Sequence, residues 1–133
     1  MAPELYGVSR VGTAQLIIME SLDEWRELAY YCGESKRTLP ASTKVKLVTR
    51  LEQILHTLES NGMVHGDFRM NNVMIKAGEE EKAVLIDFDW AGKVGIARYP
   101  HNRADLVDYP GRSGGPIEAK DDRELFDSWK ITL

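Results

Sequence analysis

Four polar residues in the middle of the chain are of the types that phosphoryl transfer requires. Asp67, Arg69 and Asn72 lie in the run HGDFRMNN, and Asp87 follows fifteen residues after Asn72 in the run IDFDWAG. Transfer of the γ-phosphate from MgATP needs a carboxylate beside the acceptor hydroxyl, oxygen ligands for magnesium and a positive charge near the phosphate. All three kinds of group stand here at short spacing, so the sequence predicts an ATP-dependent phosphotransferase site.

Each of the four residues has a candidate role in that chemistry. Asp67 is the candidate catalytic base, because a carboxylate can orient the acceptor hydroxyl and take its proton late in a loose transition state. Asn72 and Asp87 are candidate metal ligands, since an amide oxygen and a carboxylate are hard donors suited to Mg²⁺. Arg69 is a second candidate catalytic residue, which would place a fixed charge on the γ-phosphate.

The two runs resemble the catalytic loop and the magnesium-binding motif of the protein kinase-like fold, written HxDxxxxN and DFG in that family. They match at the Asp, Asn and Asp that carry these functions. Gly66 stands where most regulated protein kinases have Arg, so switching by activation-loop phosphorylation is not expected. The HGD form is similar to the atypical branch, which includes aminoglycoside and choline phosphotransferases and divergent fungal protein kinase-like proteins. The resemblance implies ATP and Mg²⁺ as cofactors.

Other readings of the motif residues stay open. Asp67 and Asp87 could be turn or strand-end residues, because Asp is common where side chains bond nearby backbone. Asp89 replaces the third-position Gly of DFG and is either a second metal ligand or a capping carboxylate. We expect His65 to be structural, since its counterpart in the family supports the backbone of the metal motif.

The chain before the HGD run predicts a strand followed by a helix. Ala14 to Glu20 is an apolar strand, and Ser21 to Glu24 forms a Ser-x-x-Glu capping box that opens a helix through about Tyr31. By the resemblance, this is the hinge: Met19 lies at the back of the adenine pocket, and the Glu20 carbonyl and Leu22 amide contact adenine. An ordinary core strand and helix cap fits the same residues equally well.

Further elements position the motif residues. A polar loop over residues 33–40 precedes a long helix that is capped by Ser42 or Thr43 and ends at Asn61-Gly62. Its apolar positions recur at helical spacing: Val45, Val48, Leu51, Ile54, Leu55 and Leu58. Three short strands follow, over Met63–His65, Val73–Lys76 and Ala83–Asp87, with Gly78 to Lys82 as the turn between the last two.

The remaining chain predicts a loop and a final helix. Residues 90–118 are rich in Gly, Pro and charge, and few of them are apolar, which is typical of an extended, activation-segment-like loop. A helix then begins near Asp121-Asp122 and turns Leu125, Phe126 and Trp129 inward. Asp121 or Asp122 resembles the Asp that supports the catalytic loop in the family, and the sequence does not separate them.

These elements predict a fold class and a domain organisation. The fold class is α+β, a partial protein kinase-like carboxy-terminal lobe, mostly helical, with short strands that carry the catalytic loop. Residues 1–22 are expected to form the last strands of an amino-terminal lobe and the hinge, and residues 23–133 the carboxy-terminal lobe. No GxGxxG segment, VAIK-like Lys or αC-type Glu precedes Asp67 in order, so the chain is expected to be a truncated domain.

Composition restricts the partners. The net charge is −4 over 133 residues and no long basic run is present, which argues against a nucleic-acid or anionic-membrane binder. We expect ATP and a protein substrate or partner. Cys32 is the single cysteine, which indicates a reducing compartment, and its apolar spacing with Leu28 predicts a core thiol. Without an apolar run long enough for a membrane span, we expect a cytoplasmic or nuclear protein.

Three functions fit the sequence. The first is a protein kinase-like phosphotransferase that acts on a Ser or Thr hydroxyl, favoured by the complete Asp67, Asn72 and Asp87 set. The second is a truncated pseudokinase that binds proteins or nucleotide without turnover, favoured by the missing Gly-rich loop and Lys. The third is a small-molecule kinase of the aminoglycoside or choline type, suggested by HGD.

Overall fold

The computed structural model of the protein describes residues 1–32, 39–130 and 132–133. The strands are β1 (Leu5–Val11), β2 (Ala14–Met19), β3 (Trp25–Glu27), β4 (Met63–Val64), β5 (Val73–Lys76), β6 (Glu79–Leu85) and β7 (Gly92–Lys93). The helices are α1 (Leu28–Cys32), α2 (Ala41–Ser60) and α3 (Asp121–Lys130), with a 3₁₀ turn at Met70–Asn72. The predicted polar loop over residues 33–40 lies mostly outside the described residues.

The strands form three small antiparallel sheets. β1 and β2 make a hairpin around Gly12, whose φ of 62° suits glycine in the tight turn. β3, β5 and β6 make a three-stranded sheet with β5 in the centre, and β4 pairs with β7. Helices are few in the described residues, so the expectation of a mostly helical lobe is wrong and the fold is mixed α and β.

Two local predictions fail because tertiary pairing overrides local signals. The predicted helix from the Ser21 capping box begins only at Leu28, since Trp25–Glu27 pairs as β3 with β5. The acidic run after Gly78 is not a turn: Glu79 pairs with Lys76 and starts β6. In both places a neighbouring strand offers hydrogen-bond partners to the backbone N–H and C=O groups. This pairing outweighs the local preference for a helix or a turn.

Helix α2 begins one residue before the predicted caps. Its N-cap is Pro40 and no side chain caps it, so Ser42 and Thr43 lie inside the first turn. The predicted end at Asn61 is confirmed, because Asn61 is the C-cap and Gly62 takes a φ of 62°. Val45 is exposed rather than inward-facing, since the buried stripe starts at Leu47.

The main core lies between α2, the three-stranded sheet and α3. It contains the α2 residues Leu47, Leu51, Ile54, Leu55 and Leu58, the sheet residues Val73, Ile75, Ala83 and Leu85, and the aromatic residues Phe68, Phe126 and Trp129. Leu28 is fully buried in it, but Cys32 is exposed, so the prediction of a core thiol is wrong. Leu28 and Cys32 are the first and last residues of the five-residue helix α1, and Leu28 is its buried residue.

A second apolar cluster lies under the segment of residues 90–118. Tyr99, Tyr109 and Ile117 from this segment pack with Val64 before the catalytic loop and Leu125 of α3. The sequence predicted a segment with too few apolar residues for such packing, but three well-spaced side chains are enough to hold it against the core. Among the described residues, no helix is long and apolar enough to cross a membrane.

Candidate active site

Side chains of α3 anchor the loop that carries Asp67. Phe68 is fully buried, with its ring 5.5 Å from that of Phe126 and 6.4 Å from that of Trp129. The Trp129 indole N–H also donates to the Phe68 carbonyl oxygen at 2.8 Å. A buried aromatic ring and a satisfied backbone carbonyl therefore fix the loop directly after Asp67.

Asp122 holds the beginning of the same loop. Its Oδ2 accepts the backbone N–H of His65 at 2.5 Å, and its Oδ1 accepts that of Gly66 at 2.8 Å. Burial raises the pKa of the Asp122 carboxyl, although both N–H groups act in the opposite direction. Asp121 instead accepts the Tyr99 hydroxyl at 3.1 Å. The structure thus separates the two acidic residues that the sequence left equivalent.

His65 connects the loop to the segment that carries Asp87. The fully buried imidazole has its Nε2 3.0 Å from the Ile86 carbonyl oxygen, while its Nδ1 accepts the Asp67 backbone N–H at 3.2 Å. These contacts assign the proton to Nε2. Burial, the main cause, lowers the pKa of His65 below its usual value. A neutral imidazole therefore links the two motifs, as expected of a structural residue.

The backbone conformation and the close neighbours of Gly66 both disfavour a side chain at this position. Its φ is 84°, and a Cβ at this position would lie 2.6 Å from Ile117 Cδ1 and 3.2 Å from Trp90 Cβ. The left-handed conformation already disfavours other residues, and a Cβ would force the buried Ile117 side chain to move. Packing of residues 90–118 against the loop is thus the physical reason for HGD in this chain.

Asp67 is 4% exposed, and its carboxylate accepts four hydrogen bonds. Arg69 donates to both oxygens, from Nε to Oδ1 at 2.5 Å and from Nη2 to Oδ2 at 2.6 Å. Asn72 Nδ2 donates to Oδ2 at 2.8 Å, and the Tyr109 hydroxyl donates to Oδ1 at 2.9 Å. Arg69 is therefore paired with Asp67 in this structure, and its predicted contact with a phosphate stays a prediction.

Asn72 lies next to the chain that leads to Asp87. The Asn72 carbonyl oxygen accepts the backbone N–H of Ile86, the residue before Asp87, at 3.0 Å. Because the Asn72 amide nitrogen donates to Asp67, its Oδ1 is the side-chain atom left for a cation. This arrangement brings the two predicted metal ligands onto neighbouring stretches of chain.

Asp87 has an unusual backbone conformation. Its φ is 61°, the only positive value among the described residues other than glycine, and its side chain is exposed. Such strain is typical of functional sites. No cluster of three or more His, Cys, Asp or Glu residues that could hold a metal occurs in the described chain. Mg²⁺ fits the site nonetheless, because it commonly takes one or two protein oxygens and completes its shell with phosphate and water.

A cleft of about 450 Å³ lies between the β1–β2 hairpin and the segment that carries Asp87. Its lining is mostly apolar and includes Met19 with Asp87 and Asp89, but neither Glu20 nor Leu22. The Glu20 N–H donates to the Glu4 carbonyl oxygen, and the Leu22 carbonyl accepts the Trp25 N–H. The structure therefore brings Met19 to the cleft, and the adenine contacts of Glu20 and Leu22 stay predictions.

The site also contains residues that sequence reasoning missed. Tyr109 contacts Asp67 from 42 positions further along the chain, inside a Gly- and Pro-rich segment without a periodic pattern. Trp129 was identified as an inward-facing helix residue, but its hydrogen bond to Phe68 has no sequence signal. Contacts of this range depend on how the segments pack, which local patterns do not report.

Comparison with protein-family models assigns the chain to the protein kinase-like superfamily. The model of the lipopolysaccharide kinase (Kdo/WaaP) family matches residues 5–106. This range covers most of the chain, including the hairpin, the catalytic loop and Asp87, so the protein belongs to the lipopolysaccharide kinase (Kdo/WaaP) family. Membership implies a kinase-type phosphotransferase that uses ATP. No curated protein matches the chain.

Proposed function

We propose that this protein transfers the γ-phosphate of MgATP to a hydroxyl group at the site formed by Asp67, Asn72 and Asp87. The observation that carries the proposal is the buried Asp67 carboxylate on a loop whose Asn72 is bonded to the residue before Asp87. Asp122 and His65 hold that loop in place. Family membership supports the reaction class.

Each residue has a part in the proposed reaction. The acceptor oxygen forms a bond to the γ-phosphorus, the bond from that phosphorus to the β–γ bridging oxygen breaks, and ADP leaves. Asp67 orients the acceptor hydroxyl and receives its proton. Asn72 Oδ1 and Asp87 would hold Mg²⁺, which would supply charge neutralisation at the phosphates. Arg69 orients the Asp67 carboxylate. After its hydrogen bonds to Asp67 break, the guanidinium stabilises the transferring phosphate.

The nucleotide base is proposed to lie in the apolar cleft beside Met19. Residues 1–22 then correspond to the last strands of an amino-terminal lobe and the hinge, and residues 23–133 to the carboxy-terminal lobe of a kinase-like fold. The apolar lining suits a flat purine ring, and the polar end at Asp87 suits the phosphates. Glu20 and Leu22, at the end of β2, are the proposed adenine contacts.

The acceptor is proposed to be a saccharide hydroxyl. The family is named for lipopolysaccharide kinases. The HGD motif also resembles that of small-molecule kinases in the aminoglycoside and choline branch. A Ser or Thr hydroxyl of a protein is the alternative acceptor. Both have the same chemistry at Asp67, so only a comparison of acceptors separates them.

A second function, a nucleotide- or protein-binding module without turnover, is favoured by one feature of the cleft. Among its described lining residues, no Lys or Arg is present. Kinases use such a cation to hold the α- and β-phosphates. In this second proposal, MgATP binds through Asp87 but no phosphate is transferred.

Calorimetry of MgATP binding, followed by an acceptor screen, tests the proposal. Asp87→Ala should abolish magnesium-dependent binding, while Asp105→Ala, which removes an exposed carboxylate outside the site, should leave binding unchanged. ADP release is then measured with lipopolysaccharide, free sugars and Ser/Thr peptides. MgATP binding without ADP release, in the native protein and in Tyr109→Phe alike, would favour the binding module, and absence of MgATP binding by the native protein would overturn both proposals.

A further inference from the structure

Every hydrogen-bonding position on the Asp67 carboxylate is occupied. Oδ1 accepts from Arg69 Nε and from the Tyr109 hydroxyl, and Oδ2 accepts from Arg69 Nη2 and Asn72 Nδ2. An ionised carboxylate has about four lone-pair sites. A further donor, such as an acceptor hydroxyl, therefore has to replace one of the four.

Three of the four donors belong to the catalytic loop itself, and the fourth is different. Arg69 and Asn72 lie within five residues of Asp67, whereas Tyr109 lies 42 residues away. The Tyr109 hydroxyl is 2.9 Å from Asp67 Oδ1 and donates to it. A catalytic base must lie about 2.6–3.2 Å from the hydroxyl whose proton it takes. Tyr109 thus has the geometry expected of a bound acceptor.

We propose that Tyr109 occupies the acceptor position of the site and that residues 98–117, the strap, form an autoinhibitory element. In this arrangement an acceptor reaches Asp67 only after the Tyr109 hydroxyl has moved away. The inference rests on the proposed phosphotransferase function and adds regulation of the same site.

The strap is held by contacts that do not involve the Tyr109 hydroxyl. The Tyr109 ring lies 5.4 Å from that of Trp90 and 5.8 Å from that of Tyr99. The Arg103 guanidinium stands over both tyrosine rings, 4.8 Å from each centroid. Ile117 is fully buried against Gly66. Removal of the hydroxyl alone should therefore leave the strap folded and open one position on Asp67.

The protonation of Tyr109 is consistent with a donor role. Burial, together with the Asp67 contact, raises the pKa of Tyr109 to about 12. The hydroxyl keeps its proton at neutral pH and continues to occupy Oδ1. It leaves through motion of the strap rather than through ionisation.

Water is a suitable acceptor for testing whether Tyr109 occupies the acceptor position, because one water molecule fits the space of one hydroxyl. In Tyr109→Phe, a water oxygen forms a bond to the γ-phosphorus and the bond to the β–γ bridging oxygen breaks. ADP leaves with the electron pair, and the proton passes to Asp67 and then to solvent. Magnesium-dependent ATP hydrolysis therefore reports directly on access to Asp67.

The experiment compares ATP hydrolysis and MgATP affinity in the full chain and its variants. Tyr109→Phe should hydrolyse ATP about tenfold faster than the native protein, the factor for loss of one hydrogen bond to a charged group, with unchanged affinity. Tyr30→Phe is the matched control, because it removes the hydroxyl of an exposed tyrosine in α1, outside the strap. It should behave as the native protein.

A second variant keeps the test decisive if Tyr109→Phe does not fold. Arg103→Met removes the cation between the two rings without touching Asp67, so it should loosen the strap and also raise hydrolysis. Unchanged or slower hydrolysis in the folded variants would overturn the proposal, because Tyr109 would then position Asp67. A phosphate found on Tyr109 by intact-mass and peptide analysis would also overturn it, since Tyr109 would be a substrate.

The outcomes distinguish this inference from the proposed function. If the native protein and the variants bind MgATP but no variant hydrolyses it faster, the strap proposal fails and nucleotide binding stands. If none of them binds MgATP, the phosphotransferase proposal fails and the strap proposal fails with it. Faster hydrolysis only in the Tyr109 and Arg103 variants supports both.

Discussion

Asp122 Oδ2 accepts the backbone N–H of His65 at 2.5 Å, and this bond joins α3 to the start of the catalytic loop. The second carboxylate oxygen accepts the Gly66 N–H. Both donors are buried, so removal of Asp122 would leave them without their hydrogen-bond acceptor. The geometry of Asp67 consequently depends on a helix that begins 54 residues further along the chain.

Asp122→Ala should therefore destabilise the protein strongly. Two buried N–H groups lose their acceptor, and we expect the free energy of unfolding to fall by about 3 kcal/mol. Denaturant unfolding followed by circular dichroism measures this change. The matched control is Asp127→Ala, which removes a carboxylate from the same helix that pairs with Lys130 at the surface. It should cost less than about 1 kcal/mol, and equal effects would show that Asp122 does not anchor the loop.

Gly66→Ala should also lower stability, through crowding against the strap. The variant combines an unfavourable φ of 84° with a Cβ that lies 2.6 Å from Ile117 Cδ1. Gly62→Ala is the control for the backbone effect alone, because Gly62 has a φ of 62° and open space around the position of a Cβ. We expect about 1 kcal/mol of destabilisation for Gly62→Ala and about 3 kcal/mol for Gly66→Ala in urea unfolding. Similar values for both would argue against tight packing under Gly66.

The motifs and most elements could be predicted from the sequence because their signals are local. β5 has the predicted bounds, and four of the predicted apolar positions of α2 are buried: Leu51, Ile54, Leu55 and Leu58. β3 could not be predicted, since its partner β5 lies about fifty residues away and the capping box at Ser21 indicated a helix. The contact between Tyr109 and Asp67 had no signal either, because it depends on how the strap packs. Local patterns located Asp67 and Asn72, and long-range packing determined what surrounds them.

His65 should stay neutral below the pH at which an ordinary histidine becomes charged. Burial lowers its pKa from 6.5, while the nearby Asp122 carboxylate acts in the opposite direction. For a histidine with a lowered pKa, the contribution to stability is present above pH 6.5 and is lost as pH falls through the folded-state pKa. NMR titration of the imidazole protons measures this pKa directly. A value at or above 6.5 in the native protein would contradict the burial argument.

Asp122→Asn tests the cause of the His65 shift. The carboxylate raises the His65 pKa, so its neutralisation should lower that pKa further, provided the fold is retained. Asp127→Asn changes the same charge on an exposed part of α3 and should leave the His65 pKa almost unchanged. A higher His65 pKa in Asp122→Asn would show that the substitution reduced the desolvation of His65, and that this effect exceeds the loss of the Asp122 charge.

Asp87 combines backbone strain with a proposed function, so its substitution should separate stability from binding. Asp87→Gly relieves a φ of 61° that is unfavourable for residues with a Cβ, and we expect stability to rise by up to about 1 kcal/mol. The same change removes the proposed magnesium ligand, so MgATP affinity in calorimetry should fall steeply.

Asp87→Asn is the control, because it keeps a side chain that tolerates this conformation but lacks the charge. It should leave stability nearly unchanged and also weaken MgATP binding. Lower stability for Asp87→Gly would show that the conformation is not strained, and unchanged MgATP affinity in both variants would exclude Asp87 as a metal ligand.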